Sequence, residues 1–313
     1  MIRARHHFPL IFLVISMTRI ILIVFFLYMP NTGLAQGDAL PPLADMHVHY
    51  KWSQAEVTTP EQAMQAMLRN KVALAVVFGT PPELVLDLQS SKSLQIVHFY
   101  QPYIAPFLKS NWFRNKRVPD AVRKALASGK YRGVGEIHIS DGIGPRMDSE
   151  IFNQVLQIAA QFDAPVNLHT NASSFEYMRR ICARHSKTRF IWAHAGGLQA
   201  EAVGKLLSQC NNVWVEFSAR DHLKSVGGVP VADDNGNLQK GWLALMQRYP
   251  DRFMIGSDPI WPVSEIDSWH TADTGWNTVD EVYAYHRRWL KTLPAGLAEK
   301  VRYRNAVDLF KDN

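Results

Sequence analysis

Leu43-Ala44-Asp45-Met46-His47-Val48-His49-Tyr50 is the stretch on which the reading of the whole chain turns. Side chains of an extended strand alternate faces with a period of two, so His47 and His49 leave the same side at one strand end. Neutral imidazole nitrogen is a common ligand for zinc and its neighbours, so such a pair suits a divalent-metal site. Ordinary polar decoration of a strand gives the same two residues, and the remaining ligands must be found elsewhere to decide. By the same alternation Asp45 shares their face, either as an acceptor for a ligand histidine or as a buried polar residue below the site.

Outward from this stretch, apolar strand-like runs alternate with amphipathic helical ones. Strands are expected at residues 43–49, 72–78, 94–100, 133–139, 165–169, 189–194, 212–217 and 252–255. Helices are expected at 60–70 after a Thr59 cap, 82–89, 119–128, 149–161, 174–185, 199–209, 242–249, 279–290 and 294–310, most with apolar residues at three- and four-residue spacing. Eight strand–helix repeats over roughly 250 residues predict an α/β fold, a (β/α)8 TIM barrel forming a single domain. Long stretches from Arg220 to Lys240 and from Pro259 to Asn277 follow the seventh and eighth strands. The second holds Trp261, Trp269, His270 and Trp276. That is the end where barrels build substrate pockets, although surface excursions would read the same.

The carboxyl ends of the strands carry a pattern. The first ends in His47 and His49, the fourth carries Glu136, the fifth His169, the sixth His194, and Asp258 follows the eighth. A lone histidine is more often a satisfied core residue, but ligand types at five independent strand ends are improbable by accident. Asp45-Met46-His47-Val48-His49, Gly133-Val134-Gly135-Glu136-Ile137, Asn167-Leu168-His169, Ala193-His194-Ala195-Gly196-Gly197, Gly256-Ser257-Asp258 and Asn305-Ala306 occur in this order. In these segments, spread over nearly all of the chain after the N-terminal segment, the sequence resembles the amidohydrolase superfamily, in its amidohydrolase-related branch.

The resemblance implies a barrel with one or two divalent metals at its mouth, zinc being the expected ion. It assigns His47, His49 and Asp258 to the first metal and His169 and His194 to the second, with Glu136 available as a bridge. Many relatives carry a carboxylated lysine on the fourth strand; Glu136 stands there instead, away from urease-like and dihydroorotase-like members. TatD-type deoxyribonucleases also have a carboxylate there, but their Gly-Glu-Ile-Gly-Leu-Asp signature is broken by His138-Ile139-Ser140, and nuclease activity is not expected.

The chemistry follows from such a ligand set: a divalent metal activates water and polarises a carbonyl or phosphoryl oxygen. Asp258 is then the general base and proton shuttle, and in a mononuclear version His194 polarises or protonates the substrate. The expected activity is hydrolysis of an ester, lactone, amide or phosphoester of a small molecule. A metal-dependent decarboxylase and a non-catalytic metal- or ligand-binding barrel are the alternatives. For substrate contact the candidates are His138, which shares the parity of Glu136, then Arg220 with His222, where a cation could receive an anionic group, and Trp52, Trp261 and Trp269.

Of the 313 residues, 47% are hydrophobic and 20% charged, an ordinary globular balance. The formal charge is +6, but Arg3, Arg5 and Arg19 lie in the N-terminal segment, leaving 31 basic against 28 acidic residues. Without a basic cluster interleaved with stacking aromatics, no nucleic-acid partner is expected. Residues 1–35 read as a signal peptide: Arg19 precedes the apolar run from Ile20 to Met29, and Gly33-Leu34-Ala35 supplies the small residues a signal peptidase reads. The expected domains are thus 1–35 and 36–313, with Met17 a cleaner initiator than Met1. An uncleaved anchor is the other reading and the one expected membrane contact; either way the domain is periplasmic or secreted. Cys182 and Cys210, in an oxidising compartment and associated with predicted helices rather than histidines, form a disulfide or remain two inert buried thiols. Oligomeric state is not legible.

Overall fold

Every side chain of the first strand, β1 (Leu43–His49), is buried, as a parallel strand covered on both faces requires. The computed structural model describes residues 40–103, 111–139, 147–170, 175–223, 229–261 and 271–311. The expected signal segment, Trp269 and His270 lie outside these residues. Within the unit Leu40–Asn313, β1 is followed by β2 (Val72–Phe78), β3 (Gln95–Tyr100), β4 (Gly133–Ile139), β5 (Val166–Thr170), β6 (Phe190–Trp192), β7 (Val213–Glu216) and β8 (Phe253–Met254). Each pairs in parallel with the next. A parallel bridge between Asp45 and Ile255, with Met46 N donating to Ile255 O at 2.9 Å, returns the last strand to the first. The result is the (β/α)8 barrel that the alternation predicts.

Helices fill the crossovers: α1 (Trp52–Ala55), α2 (Pro60–Arg69), α3 (Val118–Ala127), α4 (Glu150–Gln161), α5 (Phe175–Arg184), α6 (Ala200–Leu207), α7 (Trp242–Arg248) and α8 (Val279–Leu290). The Thr59 cap forms a reciprocal capping box, Gln62 N donating to Thr59 Oγ1 and Thr59 N to Gln62 Oε1. Between β2 and β3 the expected helix is only a 3-10 segment, Pro82–Asp87. The expected final helix divides into α9 (Ala295–Glu299) and α10 (Asn305–Leu309) about a wide turn at Lys300–Arg304. None of the described helices is long and apolar enough to cross a membrane. Cys182 in α5 and Cys210 beyond α6 are joined in a disulfide, Cα atoms 6.0 Å apart.

Two apolar layers result. The outer one packs the helices on the strands' outward residues, among them Leu43, Val48, Val77, Ile137 and Leu168. The inner one fills the barrel with Ala44, Met46, Leu74, Val76, Phe78, Phe99, Ile191 and Met254, and Ala306, Leu309 and Phe310 pack against it from α10 and its end. Asn305 fastens this segment by donating to the carbonyls of Pro250 and Phe253 at 2.9 and 2.8 Å. That packing leaves the opposite mouth for the polar residues.

A register shift in β1 between Asp45 and Val48, against Ala75 and Val77 of β2, inserts one extra residue. A bulge of this kind reverses which residues face inward. Asp45 therefore does not share the face of His47: it reaches the helix layer, where Tyr283 of α8 donates to its Oδ2 at 2.6 Å. Its Oδ1 takes Ser257 N at 2.9 Å and His47 N at 3.1 Å, so it braces backbone rather than a ligand imidazole. A matching shift in β4, between Val134 and Ile137, leaves Glu136 and His138 beside His169.

Candidate metal centre

The mouth gathers seven side chains from five strand ends: His47, His49, Glu136, His138, His169, His194 and Asp258. Two of them stand on strained backbone. The chain turns sharply after β6 and β8, with φ of 57° at His194, 52° at Ala195 and 48° at Asp258. Each such residue costs about 1–3 kcal/mol, a cost met with at sites that the surrounding structure over-determines. Gly196 continues the first turn at φ 61°, where any Cβ would lie 2.0 Å from the Trp192 ring. Asp258 N donates to His47 O at 2.7 Å, tying the eighth strand end to the first.

The donor atoms have the spacing of a metal shell. A tetrahedron with bonds of 2.0–2.1 Å to nitrogen or oxygen has edges of about 3.3–3.4 Å. His47 Nε2 and His49 Nε2 are 3.3 Å apart, and Asp258 Oδ1 lies 3.4 Å from the latter and 3.7 Å from the former. Glu136 supplies a fourth corner, Oε2 being 3.3 Å from His49 Nε2. Its other oxygen, Oε1, belongs to a second set, 2.9 Å from His169 Nδ1 and 3.5 Å from His194 Nε2, those two nitrogens being 3.2 Å apart. These residues therefore fit divalent ions, and Glu136 stands in both sets. Glu136, His138 and His169 form a further compact group, with donor atoms within 4.8 Å.

Electrostatics agree. Burial alone would push the Glu136 carboxyl up, but the surrounding His138, His47, His169 and His194 hold it well below the usual carboxylate range. Burial opposes the His47 imidazolium too, yet Glu216, Glu136 and Asp258 outweigh it and raise the group to about 9. At His49 burial dominates over Glu136 and Asp258, and the shift is downward. Glu136 is thus held as an anion among the imidazoles.

Glu216 has no place in the sequence reading, although it ends β7 as the other ligand candidates end theirs. Its Oε1 is 2.9 Å from His47 Nδ1 and 3.0 Å from His194 N. Ser218 N donates to Oε2 at 2.6 Å, and Ser218 Oγ to Oε1 at 2.9 Å. Tyr103 is the other omission: its hydroxyl takes His138 N at 2.7 Å and lies 3.0 Å from His138 Nδ1. Neither residue forms part of a motif.

The substrate candidates divide. His138 faces the centre, Nε2 3.5 Å from Glu136 Oε2. Arg220 does not present its charge to the mouth: it is fully buried, its Nη1 donating to the carbonyls of His194 and Leu198 and its Nε to that of Val229. Backbone carbonyls thus hold Nη1 and Nε, and the remaining Nη2 is buried. His222 faces Glu281 at 2.8 Å and Asp234 at 3.6 Å. Trp52 and Trp261 are exposed on the segments after β1 and β8, which are laced together by Trp261 N to Asp273 Oδ1, Asp273 N to Ser53 O, and Lys51 Nζ to Asp273 Oδ2. Trp276, by contrast, is buried near Tyr50.

A family model described as amidohydrolase matches residues 2–311. Among curated proteins no match is found. Solved structures similar in fold include a protein named a probable 2-pyrone-4,6-dicarboxylic acid hydrolase from Acinetobacter baumannii with citric acid bound, at TM-score 0.56 and 14% identity over 86% of this chain and 99% of that one. A zinc-bound amidohydrolase from Burkholderia multivorans matches at TM-score 0.52 and 16% identity over 86% and 99%. A phosphotriesterase homology protein from Escherichia coli, with phosphate in its active site, matches at TM-score 0.55 and 14% identity over 86% and 98%.

Proposed function

The chain belongs to the amidohydrolase family and is on that footing a metal-dependent hydrolase; from this premise we propose that it uses two divalent ions, zinc first among them, to hydrolyse an ester, lactone, amide or phosphoester of a small molecule. The observation that carries the reading is the sharing of Glu136 between two donor sets of near-tetrahedral spacing. His47, His49 and Asp258 would hold one ion, His169 and His194 the other, with Glu136 bridging.

Divalent ions held by these residues would supply a water of lowered pKa, from roughly 16 to about 7, and polarisation of the scissile carbonyl or phosphoryl oxygen. The protein's own part is placement and proton transfer. Asp258, its backbone pinned to His47 O, takes the proton released by the attacking water and returns it to the leaving group. His47 stays in place because its outer nitrogen, Nδ1, is engaged by Glu216. His138 faces the same space and can donate to a substrate oxygen. Trp52 and Trp261, half exposed above the centre's strand ends, offer apolar surface to the remainder of the substrate.

Lactones and phosphoesters head the panel, since the names of two structural neighbours point to a pyrone dicarboxylate and to phosphotriesters. Zinc-loaded protein should turn over at least one member, lose activity on chelation and regain it on adding zinc. Release of carbon dioxide instead of hydrolysis would replace this reading by the decarboxylase. No activity across esters, lactones, amides and phosphoesters, with Asp258→Asn indistinguishable from wild type, would replace it by the binding barrel.

The site of action is proposed to be periplasmic or extracellular. The charged and apolar pattern of residues 19–35 supports this. So does the Cys182–Cys210 disulfide, which fits an oxidising compartment. Sequencing of protein from a periplasmic or secreted fraction should begin at Gln36; an intact N-terminus in the cytosol would contradict it.

A further inference from the structure

The structure assigns Glu216 and Ser218 to a buried relay behind the metal centre, positioning His47 and His194 together and so coupling the two ion sites. The assignment rests on the reading of the centre as a two-ion site. Its basis is that every group around Glu216 brings a proton. Oε1 faces His47 Nδ1 at 2.9 Å, His194 N at 3.0 Å and Ser218 Oγ at 2.9 Å, and Oε2 faces Ser218 N at 2.6 Å. Two of these are backbone amides, which can only donate, and only an ionised carboxylate accepts from all four. Glu216 and Ser218 are fully buried, so a mismatch there has no water to relieve it.

With the Nδ1 proton of His47 held by Glu216, the nitrogen left for an ion is Nε2, the one that faces His49, Asp258 and Glu136. The same logic reaches His194. Its Nδ1 lies 3.0 Å from Ser218 O, a carbonyl that can only accept, and 2.8 Å from Ser218 Oγ. Its Nε2 is thereby turned to His169 and Glu136. A continuous chain, His47–Glu216–Ser218–His194, thus runs behind the centre and joins an imidazole of one donor set to an imidazole of the other. Carboxylates behind ligand histidines fix the tautomer and ring orientation, and removing one weakens metal binding by roughly 10- to 100-fold. Here one carboxylate serves two sets. Gly256 packs directly against the carboxylate: a Cβ there would come within 2.7 Å of Glu216 Oε2 and of His47 Cβ, and 2.9 Å of Ser218 Cβ.

Glu216→Gln and Ser218→Ala test the assignment in the full chain, with zinc affinity read by competition against a chromophoric chelator. Glutamine keeps the shape but sets an amide donor against donors. Glu216→Gln is expected to weaken both zinc ions by roughly 10- to 100-fold. Ser218→Ala removes the hydroxyl that faces both His194 Nδ1 and Glu216 Oε1 and should weaken the ion at His169 and His194 more than the ion at His47 and His49, because His47 Nδ1 keeps its contact with Glu216. Wild-type affinity for both ions in Glu216→Gln would overturn the relay, and so would wild-type affinity for both in Ser218→Ala. If Glu216→Gln does not fold, Ser218→Ala decides. A second readout separates this inference from the function proposed above. In protein labelled with 15N-histidine, the His47 Nδ1 proton should give a downfield, slowly exchanging resonance with or without zinc, absent from Glu216→Gln. If wild type binds no zinc, the two-ion reading fails while that resonance still supports the relay; its persistence in Glu216→Gln overturns the relay whatever the metal content.

Discussion

His138 of β4 and His169 of β5 stack across the sheet, ring centroids 4.5 Å apart and planes within 24° of parallel. The two imidazoles nevertheless differ in standing. His169 Nδ1 is 2.9 Å from Glu136 Oε1 and 3.2 Å from His194 Nε2, inside a donor set. His138 faces Glu136 Oε2 at 3.5 Å and rests its other nitrogen on Tyr103. Replacing it by glutamine should leave the ion content at the wild-type level while lowering kcat/KM by about tenfold, the worth of one charge-assisted hydrogen bond. Loss of one ion per chain from His138→Gln, measured by elemental analysis, would make it a ligand instead.

Gly256 sits where β8 passes Glu216 and His47, with less than 3 Å for any added Cβ. Gly256→Ala should therefore destabilise the fold by about 1–3 kcal/mol in urea unfolding and weaken zinc binding in the same variant. A variant with wild-type stability and wild-type zinc affinity would show that the crowding is relieved at no cost.

The disulfide closes a loop of 28 residues between α5 and the end of α6. Cys182→Ser with Cys210→Ser should lower unfolding free energy by about 3 kcal/mol without changing activity, because the bond lies among helices and touches no ligand. Equal urea midpoints for the double variant and oxidised wild type would contradict this.

A pH dependence is expected from His98, half-buried in β3, whose Nε2 lies 2.8 Å from Leu88 O. Burial pulls its pKa below the usual value near 6.5, more than the backbone contacts raise it. The folded state then binds that proton less readily than the unfolded chain. Above pH 6.5 both states are neutral and the group contributes nothing. As pH falls below 6.5 the unfolded state is protonated first, and stability drops until the folded pKa is passed. Urea unfolding of His98→Gln should show a shallower loss between pH 6.5 and 5 than wild type; identical slopes would remove His98 as the cause.

Much of this architecture is legible in the chain because it depends on local pattern. The parity of His47 and His49, the Thr59 cap and the eightfold alternation all follow from residue spacing. What is not legible depends on pairing between distant strands. Asp45 leaves the face of His47 because β1 bulges against β2, and nothing in residues 43–50 marks the extra residue. Arg220, between a serine-alanine turn and a glycine-rich stretch, looks solvent-exposed, yet its guanidinium is enclosed by carbonyls of the turn after β6 and of Val229. Glu216 was accessible in principle: it is the single charge closing the apolar run Val213-Trp214-Val215, at the strand end where ligand types are sought. It belongs to no short motif, and its partners become visible only when the barrel closes.

The central claim is that Glu136 bridges two ions. Zinc content of the protein after loading and exhaustive dialysis tests it most directly, with Glu136→Gln measured beside wild type. The account predicts close to two zinc ions per wild-type chain and at most one in Glu136→Gln. A single ion in both proteins, or no retained ion in wild type, would contradict it.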